Sequence, residues 1–435
     1  MVSEKRFPWI RNKWRAAKNL AFINGPGRRF RRFEASLHPE TWARHDELLV
    51  WAESMAAEQE IYEAPERYEE SNDPVVRQGY ELVKQVKRDF KDRCRDHHEL
   101  RILVHVPTAA GSSAYASFDA NFVQGFQFVG IAAGELRWGD DTSQVLESFK
   151  PNLLLTVDHD GHLRHIDWSA VRAYRKKSKL RIALNASLQE YGNTPISERL
   201  EWAKEHEVDF YYSFKNRDYI NARYQEILKR GYQILSLEFG ANPLVYYPVP
   251  HNVRDLKHVF LGSTNPDKWP RYYSYLAPIW RRCPGYIDGP WWHLISRFGG
   301  PETHRYIWAR ARVGLNLHIK NQIDWAGELN ERTYNMAACG VPQLIDAPKL
   351  LFDRFQPDSF FVGRTPSEYQ NLFAEILRNP DEATRRALQA QREAFTQHTV
   401  FHRAENFVDQ LMLTGLFSSG TSEKIATSTS RDLAV

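Results

Sequence analysis

The sequence has no apolar run that approaches the roughly 18 residues of a membrane-spanning helix. It contains only three cysteines, Cys94, Cys283 and Cys339, whose odd number and wide spacing argue against a disulfide framework or a Cys-rich zinc site. The amino terminus is basic but lacks the apolar stretch and small-residue cleavage site of a secretory signal. No internal repeat stands out. We therefore expect a cytoplasmic protein without a membrane-spanning segment.

The length of 435 residues is about three times that of a typical domain and predicts two domains plus an appendage. The net charge of +4 is unevenly distributed, because residues 1–33 hold ten Lys and Arg against the single acid Glu4. This stretch is therefore +9 and residues 34–435 sum to −5. A basic nucleic-acid-binding protein would spread its cations more widely, so nucleic acid is not the partner that we expect.

Aromatic residues are interleaved with the cations of residues 1–33. They are Phe7, Trp9, Trp14, Phe22, Phe30 and Phe33. Aromatic rings combined with Lys and Arg are typical of interfacial segments on anionic membranes, where each cation contributes about 1 kcal/mol. The pattern predicts peripheral contact with the inner face of a membrane. Docking of the segment on the acidic body and a basic arm for nucleic acid are the alternatives.

Helical periodicity over 39–68 and 73–98 predicts two helices packed on the body. From residue 100 onward, short apolar runs alternate with amphipathic segments that are predicted to be helical. The runs lie at 100–106, 152–157, 180–184, 208–212 and 232–235. Such alternation predicts right-handed crossovers and a parallel sheet that is covered on both faces. Residues 100–245 are therefore predicted to form a Rossmann-like domain.

Residues 239–250 interrupt the alternation with one glycine and three prolines, as expected of a linker. A second series of apolar runs lies at 258–261, 313–317, 342–345 and 359–362, and a helical tail follows at 366–413. This series predicts a second α/β domain at 250–413. The Ser/Thr-rich residues 418–435 are expected to be disordered. Tandem Rossmann-like domains bind ligands in the cleft between them, so the organisation favours a cleft enzyme.

The most informative stretch runs from Val313 to Ile345. It predicts a strand, a polar loop, a helix that begins near Asn330, a Cys-Gly turn and another strand. Asn330 is a natural N-cap, and the free N–H groups and dipole of the first turn suit the diphosphate of a nucleotide sugar. Arg332 and Lys320 would add charge-assisted hydrogen bonds to phosphate. Any capped helix of an α/β domain has the same local pattern, so a purely structural helix is the alternative.

Within this stretch, Arg332-Thr-Tyr-Asn-Met-Ala-Ala-Cys-Gly-Val-Pro resembles the R-x-F-E-x-x-A-C-G-x-P signature of the CgeB-like glycosyltransferases. That family is similar to the group 1 glycosyltransferases of the GT-B fold. Further segments match in the family's order at 237–243, 259–263, 315–318, 378–380 and 398–403. The resemblance covers roughly residues 235–412 well and residues 100–234 in architecture only. Residues 1–99 are outside it.

The resemblance implies an α/β protein of GT-B fold, with two Rossmann-like domains facing a cleft. Residues 1–99, outside the resemblance, are expected to add a basic arm and a helical extension at the amino terminus. It implies sugar transfer from a nucleotide-sugar donor, bound mainly by the second domain, to a glycan, lipid-linked or other hydroxyl acceptor. Cell-surface polysaccharide or glycoconjugate synthesis is the expected setting. The nucleotide sugar is a substrate, and no cofactor is expected. The donor-binding residues that we assign in the second domain's central stretch are Asn316, His318, Lys320, Glu328, Asn330, Glu331, Arg332, Thr333 and Asn335.

Asn335 departs from the wider GT-B pattern. This position is usually a glutamate that hydrogen-bonds the ribose of the donor, and an amide preserves the contact without its charge. The pair of glutamates separated by seven residues, which is typical of retaining enzymes, is also absent. Gly327 stands eight residues before Asn335, with Glu328 beside it. The stereochemical outcome is therefore open.

Two turns offer further ligand contacts. In the second domain, the turn over 262–271 offers backbone access, hydroxyls and positive charge to the donor phosphates, through Gly262, Ser263, Thr264, Lys268 and Arg271. In the first domain, the turn after the first strand places Gly111, Ser112 and Ser113 as acceptor contacts. Its glycine spacing does not match G-x-G-x-x-G, so a dinucleotide cofactor is not indicated. Plain surface turns are the alternative for both.

A general base is expected where a strand of the first domain ends. Asp158, His159 and Asp160 follow an apolar strand and are the catalytic candidates, because a carboxylate or imidazole there would take the proton of an acceptor hydroxyl. A metal site is not expected, since the ligand spacing in this loop is not diagnostic. A solvated loop is the alternative. For the whole chain, the alternatives to a transferase are a nucleotide-sugar epimerase and a catalytically silent scaffold that binds a membrane or polysaccharide.

Overall fold

A computed structural model describes residues 26–59, 64–107, 113–186, 195–250, 253–264 and 268–417. Contacts divide the chain into two compact units. The six-stranded unit comprises Leu82–Leu244, Trp325–Tyr334 and Glu393–Val435, and the five-stranded unit comprises Met1–Glu81, Val245–Asp324 and Asn335–Arg392. Residues 1–99, which the sequence analysis groups as one extension, are thus divided between the units. Residues 418–435, with the disorder predicted for them, lie outside the described residues.

The six-stranded unit is built on an all-parallel sheet with the strand order β2-β1-β3-β4-β5-β6. Its strands are β1 Arg101–Val106, β2 Ala132–Arg137, β3 Leu153–Val157, β4 Arg181–Asn185, β5 Phe210–Ser213 and β6 Ile234–Ser236. All five residues of β3 are buried, as expected of a parallel strand that is covered on both faces.

The five-stranded unit also has an all-parallel sheet, in the order β11-β10-β9-β7-β8. Its strands are β7 Val259–Leu261, β8 Tyr286–Asp288, β9 Gly314–Asn316, β10 Gln343–Ile345 and β11 Phe361–Val362. The two parallel sheets with their helices confirm the predicted α/β class and its two Rossmann-like domains.

Helices connect and flank the strands. In chain order they are Pro26–Glu34, Pro39–Ala43, His45–Ala57, Pro65–Glu69, Pro74–Phe90, Ser113–Phe128, Thr142–Phe149, Asp160–Leu163, Trp168–Arg175, Ile196–Glu205, Arg217–Arg223, Gln225–Lys229, Trp269–Arg271, Ala277–Arg282, Pro301–Ala309, Lys320–Trp325, Glu331–Ala338, Leu351–Arg354, Pro366–Arg378, Pro380–Gln397 and Val400–Leu413. A 3-10 turn lies at Arg95–His97 and a π-helical segment at Tyr272–Leu276. Among the residues described, no helix combines the length and apolarity needed to cross a bilayer.

Two features of the fold differ from the sequence-based expectation. Strands β2 and β8 were not predicted, and each lies at an edge of its sheet, where one neighbour suffices and polar residues are tolerated. In place of the single helix predicted over 39–68, the described residues 39–59 and 64–68 contribute to three helices, two of which begin at Pro39 and Pro65. Proline favours the first turn of a helix and disrupts its interior, which explains why a new helix begins at Pro65.

The strand orders locate a topological switch point in each sheet. In the six-stranded sheet β2 lies on one side of β1 and β3 on the other, and in the five-stranded sheet β8 and β9 flank β7 in the same way. Ligands of open parallel sheets bind beyond the carboxyl ends of the strands at such points. Ligand-binding residues are therefore expected directly after β1 and β3 in one sheet and directly after β7 and β9 in the other.

Candidate functional site

In the five-stranded unit, β7 ends in a turn, Gly262 to Thr264, whose backbone is held from several sides. The N–H of Gly262 donates to the carbonyl of Asp288 at 2.7 Å, and the indole N–H of Trp292 donates to the carbonyl of Gly262 at 2.9 Å. A Cβ on Gly289 would lie 2.6 Å from the carbonyl carbon of Gly262, so this close approach requires glycine. The turn is thus held by contacts within its own unit.

The side chains of this turn differ in how far they are already engaged. The ammonium of Lys268 donates to the hydroxyl and the carbonyl of Ser263 at 2.8 and 3.1 Å, and both residues are half-buried. The hydroxyl of Thr264 is buried and accepts a hydrogen bond from the Trp269 indole at 2.9 Å. Ser263 and Lys268 therefore place a hydroxyl and a cation together at the end of β7, whereas Thr264 serves the packing of the turn.

A buried carboxylate, Asp346, joins Arg271 and His318. One oxygen of Asp346 lies 2.6 Å from Nδ1 of His318, and the other accepts from the backbone N–H of His318 at 2.8 Å and from Arg271 at 2.7 Å. Burial opposes ionisation of Asp346, but the charges and hydrogen bonds of His318 and Arg271 outweigh it and lower the pKa of this carboxyl. The Nε of Arg271 has no hydrogen-bond partner among the described residues. Asp346 thus holds a cation and an imidazole beyond β9 and β10.

Two other predicted donor residues of this unit serve different purposes. Asn316 is fully buried at the end of β9, where its amide donates to Gln343 of the neighbouring β10 at 3.3 Å. Lys320 is exposed and pairs with Asp324 one helical turn onward at 3.4 Å. Asn316 is therefore placed to support the two strand ends, whereas Lys320 remains accessible to a ligand.

The helix Glu331–Ala338 begins as the sequence predicted. The side-chain oxygen of Asn330 accepts from the backbone N–H and the hydroxyl of Thr333, each at 3.1 Å, so Asn330 is the N-cap. The helix ends at the predicted Cys-Gly turn, where Gly340 has a φ of +66°. Burial raises the pKa of the Cys339 thiol, which is consistent with an unreactive core cysteine.

Residues at the start of this helix belong to the six-stranded unit. Glu328 pairs with Lys215 at 2.6 Å, and Glu331 accepts from the amide of Asn121 at 2.8 Å, so both carboxylates have partners within the unit. Arg332 is half-buried beside them.

Asn335, one turn further along the same helix, is 3% exposed. Its side-chain oxygen is buried, with no hydrogen-bond partner among the described residues. A buried amide oxygen without a partner costs free energy, so Asn335 is an energetically unfavourable position within this helix.

At the carboxyl end of the six-stranded sheet, His105 of β1 and Thr156 of β3 lie side by side, with Nδ1 2.9 Å from the hydroxyl. The ring of His162 lies edge-on to His105, with the centroids 6.2 Å apart. Burial and neighbouring histidines lower the pKa of His105 to about 3 and that of His162 to about 4. Both imidazoles are therefore neutral at pH 7.

Asp158 follows β3 at the same carboxyl end of the sheet and is 3% exposed. One carboxylate oxygen lies 3.8 Å from the guanidinium of Arg199, whose side chain is also buried. Burial and the charge of Asp158 raise the pKa of the Tyr211 hydroxyl. Arg199 was missed by the sequence analysis, because an arginine in the amphipathic helix Ile196–Glu205 has no signal that separates it from a solvated one.

The other two catalytic candidates differ from Asp158. His159 is exposed, and its Nδ1 accepts the N–H of Gly161 at 3.0 Å, so the neutral ring carries its proton on Nε2. Asp160 begins the helix Asp160–Leu163, but its side chain is outside the described structure. Of the predicted acceptor contacts, Gly111 and Ser112 lie outside the described residues, and Ser113 is the first residue of its helix. Within the described part of the chain, no three potential metal ligands are grouped.

Residues 271–409 match the sequence model of a family described as "Glycosyl transferase-like". The glycosyltransferase resemblance of the second domain is thereby confirmed over this segment, which contains Arg271, His318, Asn335 and Asp346. No curated protein sequence matches the chain significantly.

Several solved structures are similar to the chain. An alpha-glucosyltransferase in complex with UDP and a 13-mer DNA is 10% identical, with 73% of this chain and 100% of that chain covered and a TM-score of 0.49. T4 phage BGT with its UDP-glucose substrate is 13% identical, with 74% and 100% covered and a TM-score of 0.45. A glycosyltransferase from Rickettsia africae ESF-5 is 10% identical, with 74% and 99% covered and a TM-score of 0.47. The comparisons do not support the expectation that nucleic acid is not a partner, and it stays a prediction.

Proposed function

From the match of residues 271–409 to the glycosyl transferase-like family, we propose that the protein is a glycosyltransferase that moves a sugar from a nucleotide-sugar donor to a hydroxyl acceptor. The observation that carries the proposal is the family match, which includes the buried Asp346 with its partners Arg271 and His318. A diphosphate needs fixed cations and N–H donors, and this cluster with Lys268 provides them.

The donor would bind beyond β7 and β9. Arg271, Lys268 and the Ser263 hydroxyl would contact the diphosphate, and the buried amide oxygen of Asn335 would accept a hydrogen bond from a ribose hydroxyl. Arg332 and the capped start of its helix are proposed as further donor contacts. As the bond from the anomeric carbon to the diphosphate breaks, negative charge grows on the leaving oxygen, and these cations would stabilise it.

The acceptor would meet the carboxyl end of the six-stranded sheet. We assign Asp158 as the group that takes the proton of the attacking hydroxyl, with Arg199 as its neighbour. The Nε2–H of His159 would donate to an acceptor or donor oxygen. Ser113 and the preceding turn remain proposed acceptor contacts. No metal or cofactor is required by this assignment.

The acceptor is proposed to be a glycan or lipid-linked hydroxyl in cell-surface polysaccharide or glycoconjugate synthesis. The prediction of a membrane-facing basic segment needs one correction. Phe30 and Phe33, two of its aromatic residues, are 0% and 3% exposed and belong to the core of the five-stranded unit, so they do not face a membrane. Residues 26–33 therefore follow the alternative prediction, in which the segment docks on the body of the protein. We propose that any membrane contact of the protein involves residues 1–25.

Flotation with vesicles of anionic phosphatidylglycerol or neutral phosphatidylcholine tests the membrane contact. The full chain should float with the anionic vesicles only, and the chain without residues 1–25 should stay in the soluble fraction. Equal recovery of the two proteins in the soluble fraction would remove the membrane proposal.

The function is tested with the full chain and a panel of UDP-, GDP-, CDP- and TDP-sugars. Acceptors should include glycans, lipid-linked sugars and DNA, with products identified by mass spectrometry. A new glycosidic product is the expected result. An isomerised donor would identify an epimerase, and no turnover or nucleotide binding with any donor would favour the scaffold.

A further inference from the structure

The first described helix, Pro26–Glu34, packs its aromatic face into the core of the five-stranded unit. The ring of Phe30 stacks on Trp269 with a centroid distance of 4.3 Å and an interplanar angle of 7°, and it also lies 5.6 Å from the ring of Trp292. Phe33 contacts Tyr273 at 4.4 Å. Arg29, Arg31 and Arg32 are exposed on the opposite side. The helix is therefore part of this unit's core.

The two tryptophans beneath Phe30 are the ones that hold the turn after β7. Trp269 donates its indole N–H to the Thr264 hydroxyl, and Trp292 donates its indole N–H to the Gly262 carbonyl, both at 2.9 Å. One phenyl ring thus packs against both indoles, which bond the first and last residues of the turn. A shift of either indole would move the turn.

A second link reaches the turn from the helix His45–Ala57. Nε2 of His45 lies 3.4 Å from a carboxylate oxygen of Asp288, and the same oxygen accepts the backbone N–H of Gly289 at 2.7 Å. Gly289 is the residue whose backbone abuts Gly262. The His45 ring also stacks on Tyr286 with the centroids 5.0 Å apart. The back of the turn is therefore supported by this helix.

The helix Pro26–Glu34 is fixed at its end by Glu34, which is fully buried. One carboxylate oxygen of Glu34 accepts the backbone N–H of His293 at 2.9 Å, and its carbonyl accepts the indole N–H of Trp42 at 3.1 Å. His293 directly follows Trp292, so this bond secures the loop that carries one of the two indoles.

We propose that residues 26–57 position the turn Gly262 to Thr264 for the donor diphosphate, and that Phe30 is the principal positioning residue. The proposal rests on the donor-binding function assigned to this turn above. The segment touches no proposed substrate atom; it acts through Trp269, Trp292 and Asp288. Displacements of the order of 1 Å in a group that contacts phosphate are enough to weaken binding substantially.

The test compares Phe30→Ala with Phe373→Ala. Phe373 is a buried phenylalanine of the same core that is 4% exposed, and its aromatic partner is His258 rather than a tryptophan of the turn. Both variants should lower the unfolding midpoint. Only Phe30→Ala should raise the donor KM by about tenfold with little change in kcat, and Phe30→Leu, which keeps apolar bulk, should recover most of the affinity.

A second readout is independent of any donor. Hydrogen–deuterium exchange of the peptide that contains residues 262–264 should accelerate in Phe30→Ala and not in Phe373→Ala, at a temperature where both are folded. Equal exchange of this peptide in the two variants would overturn the positioning role, whatever the donor binding. If wild type binds no nucleotide while Phe30→Ala alone accelerates exchange, the proposed function fails and the structural link stands.

Discussion

The two switch points of the molecule are built from different chemistry. Beyond β7 and β9, the side chains are charged and bonded to one another, with Asp346 holding Arg271 and His318. Beyond β1 and β3, the central groups are the neutral imidazoles of His105 and His162. Fixed cations suit an anionic diphosphate, and neutral imidazoles beside the Asp158 carboxylate suit hydroxyl recognition and proton transfer. This difference supports the proposed assignment of the donor to the five-stranded unit and of the acceptor to the six-stranded unit.

The largest effect on turnover is expected at the carboxyl end of the six-stranded sheet. Asp158→Asn removes the proposed proton acceptor and should lower kcat by about 10²–10⁴-fold. Asp209→Asn is the matched control. The side chain of Asp209 is 7% exposed and bonds Arg175 and Arg181 just before β5, at the amino end of the strands. The control should lower stability and leave kcat unchanged. Undiminished turnover in both Asp158→Asn and Asp160→Asn would show that neither carboxylate is the base.

At the carboxyl end of the five-stranded sheet, a substitution is expected to affect stability as well as donor binding. Asp346→Asn leaves Arg271 and His318 without their shared anion, and loss of one partner from a buried ion pair costs about 3–5 kcal/mol. Asp324→Asn, which removes only the exposed pair with Lys320, should cost less than about 1 kcal/mol. Urea unfolding measures both. Similar losses in the two variants would mean that the Asp346 cluster is not a structural centre of this end of the sheet.

The buried groups at the carboxyl ends of the two sheets should also lose their contributions to stability at different pH values. The folded-state pKa values of His105 and His162, about 3 and about 4, lie below the unfolded value of about 6.5. The unfolded chain therefore binds more protons, and stability falls as the pH drops from about 6.5 to about 3. The contribution of Asp346, whose folded pKa is lowered, is present above about pH 3.9 and is lost only below it. On acidification, the stability contribution of His105 and His162 should therefore be lost before that of Asp346.

His105→Gln tests this order. The variant should reduce the pH dependence of the free energy of unfolding by up to about 1.4 kcal/mol per pH unit within that window. An unchanged slope in His105→Gln would mean that this imidazole is not held neutral by burial.

Many helices and strands of the second domain could be predicted from the sequence, because the patterns that indicate them involve residues close together in the chain. Asn330 was predicted as an N-cap and is one, since the oxygen that caps a helix bonds an N–H only three residues away. The strands that were predicted are the apolar ones, because burial on both faces leaves a continuous apolar run. The edge strands β2 and β8 carry no such run and were missed.

The contacts that were missed join residues far apart in the chain. Asp346 lies 28 residues from His318 and 75 from Arg271, and no spacing rule connects them. Arg199 meets Asp158 from a separate helix, and Phe30 meets Trp269 from the amino-terminal segment. The sequence of residues 1–33 indicated a membrane surface because its aromatic residues alternate with cations, but whether a ring faces lipid or core depends on a distant partner.

The central claim is that the five-stranded unit binds a nucleotide-sugar donor, and Asn335 tests it with the smallest change. Isothermal titration of the full chain with UDP, GDP, CDP and TDP should show binding of at least one of them. Asn335→Ala should weaken that binding by about tenfold, about 1.4 kcal/mol, without loss of stability, because the buried amide oxygen has no partner among the described residues. Absence of binding by all four nucleotides, or equal affinity in wild type and Asn335→Ala, would contradict the assignment.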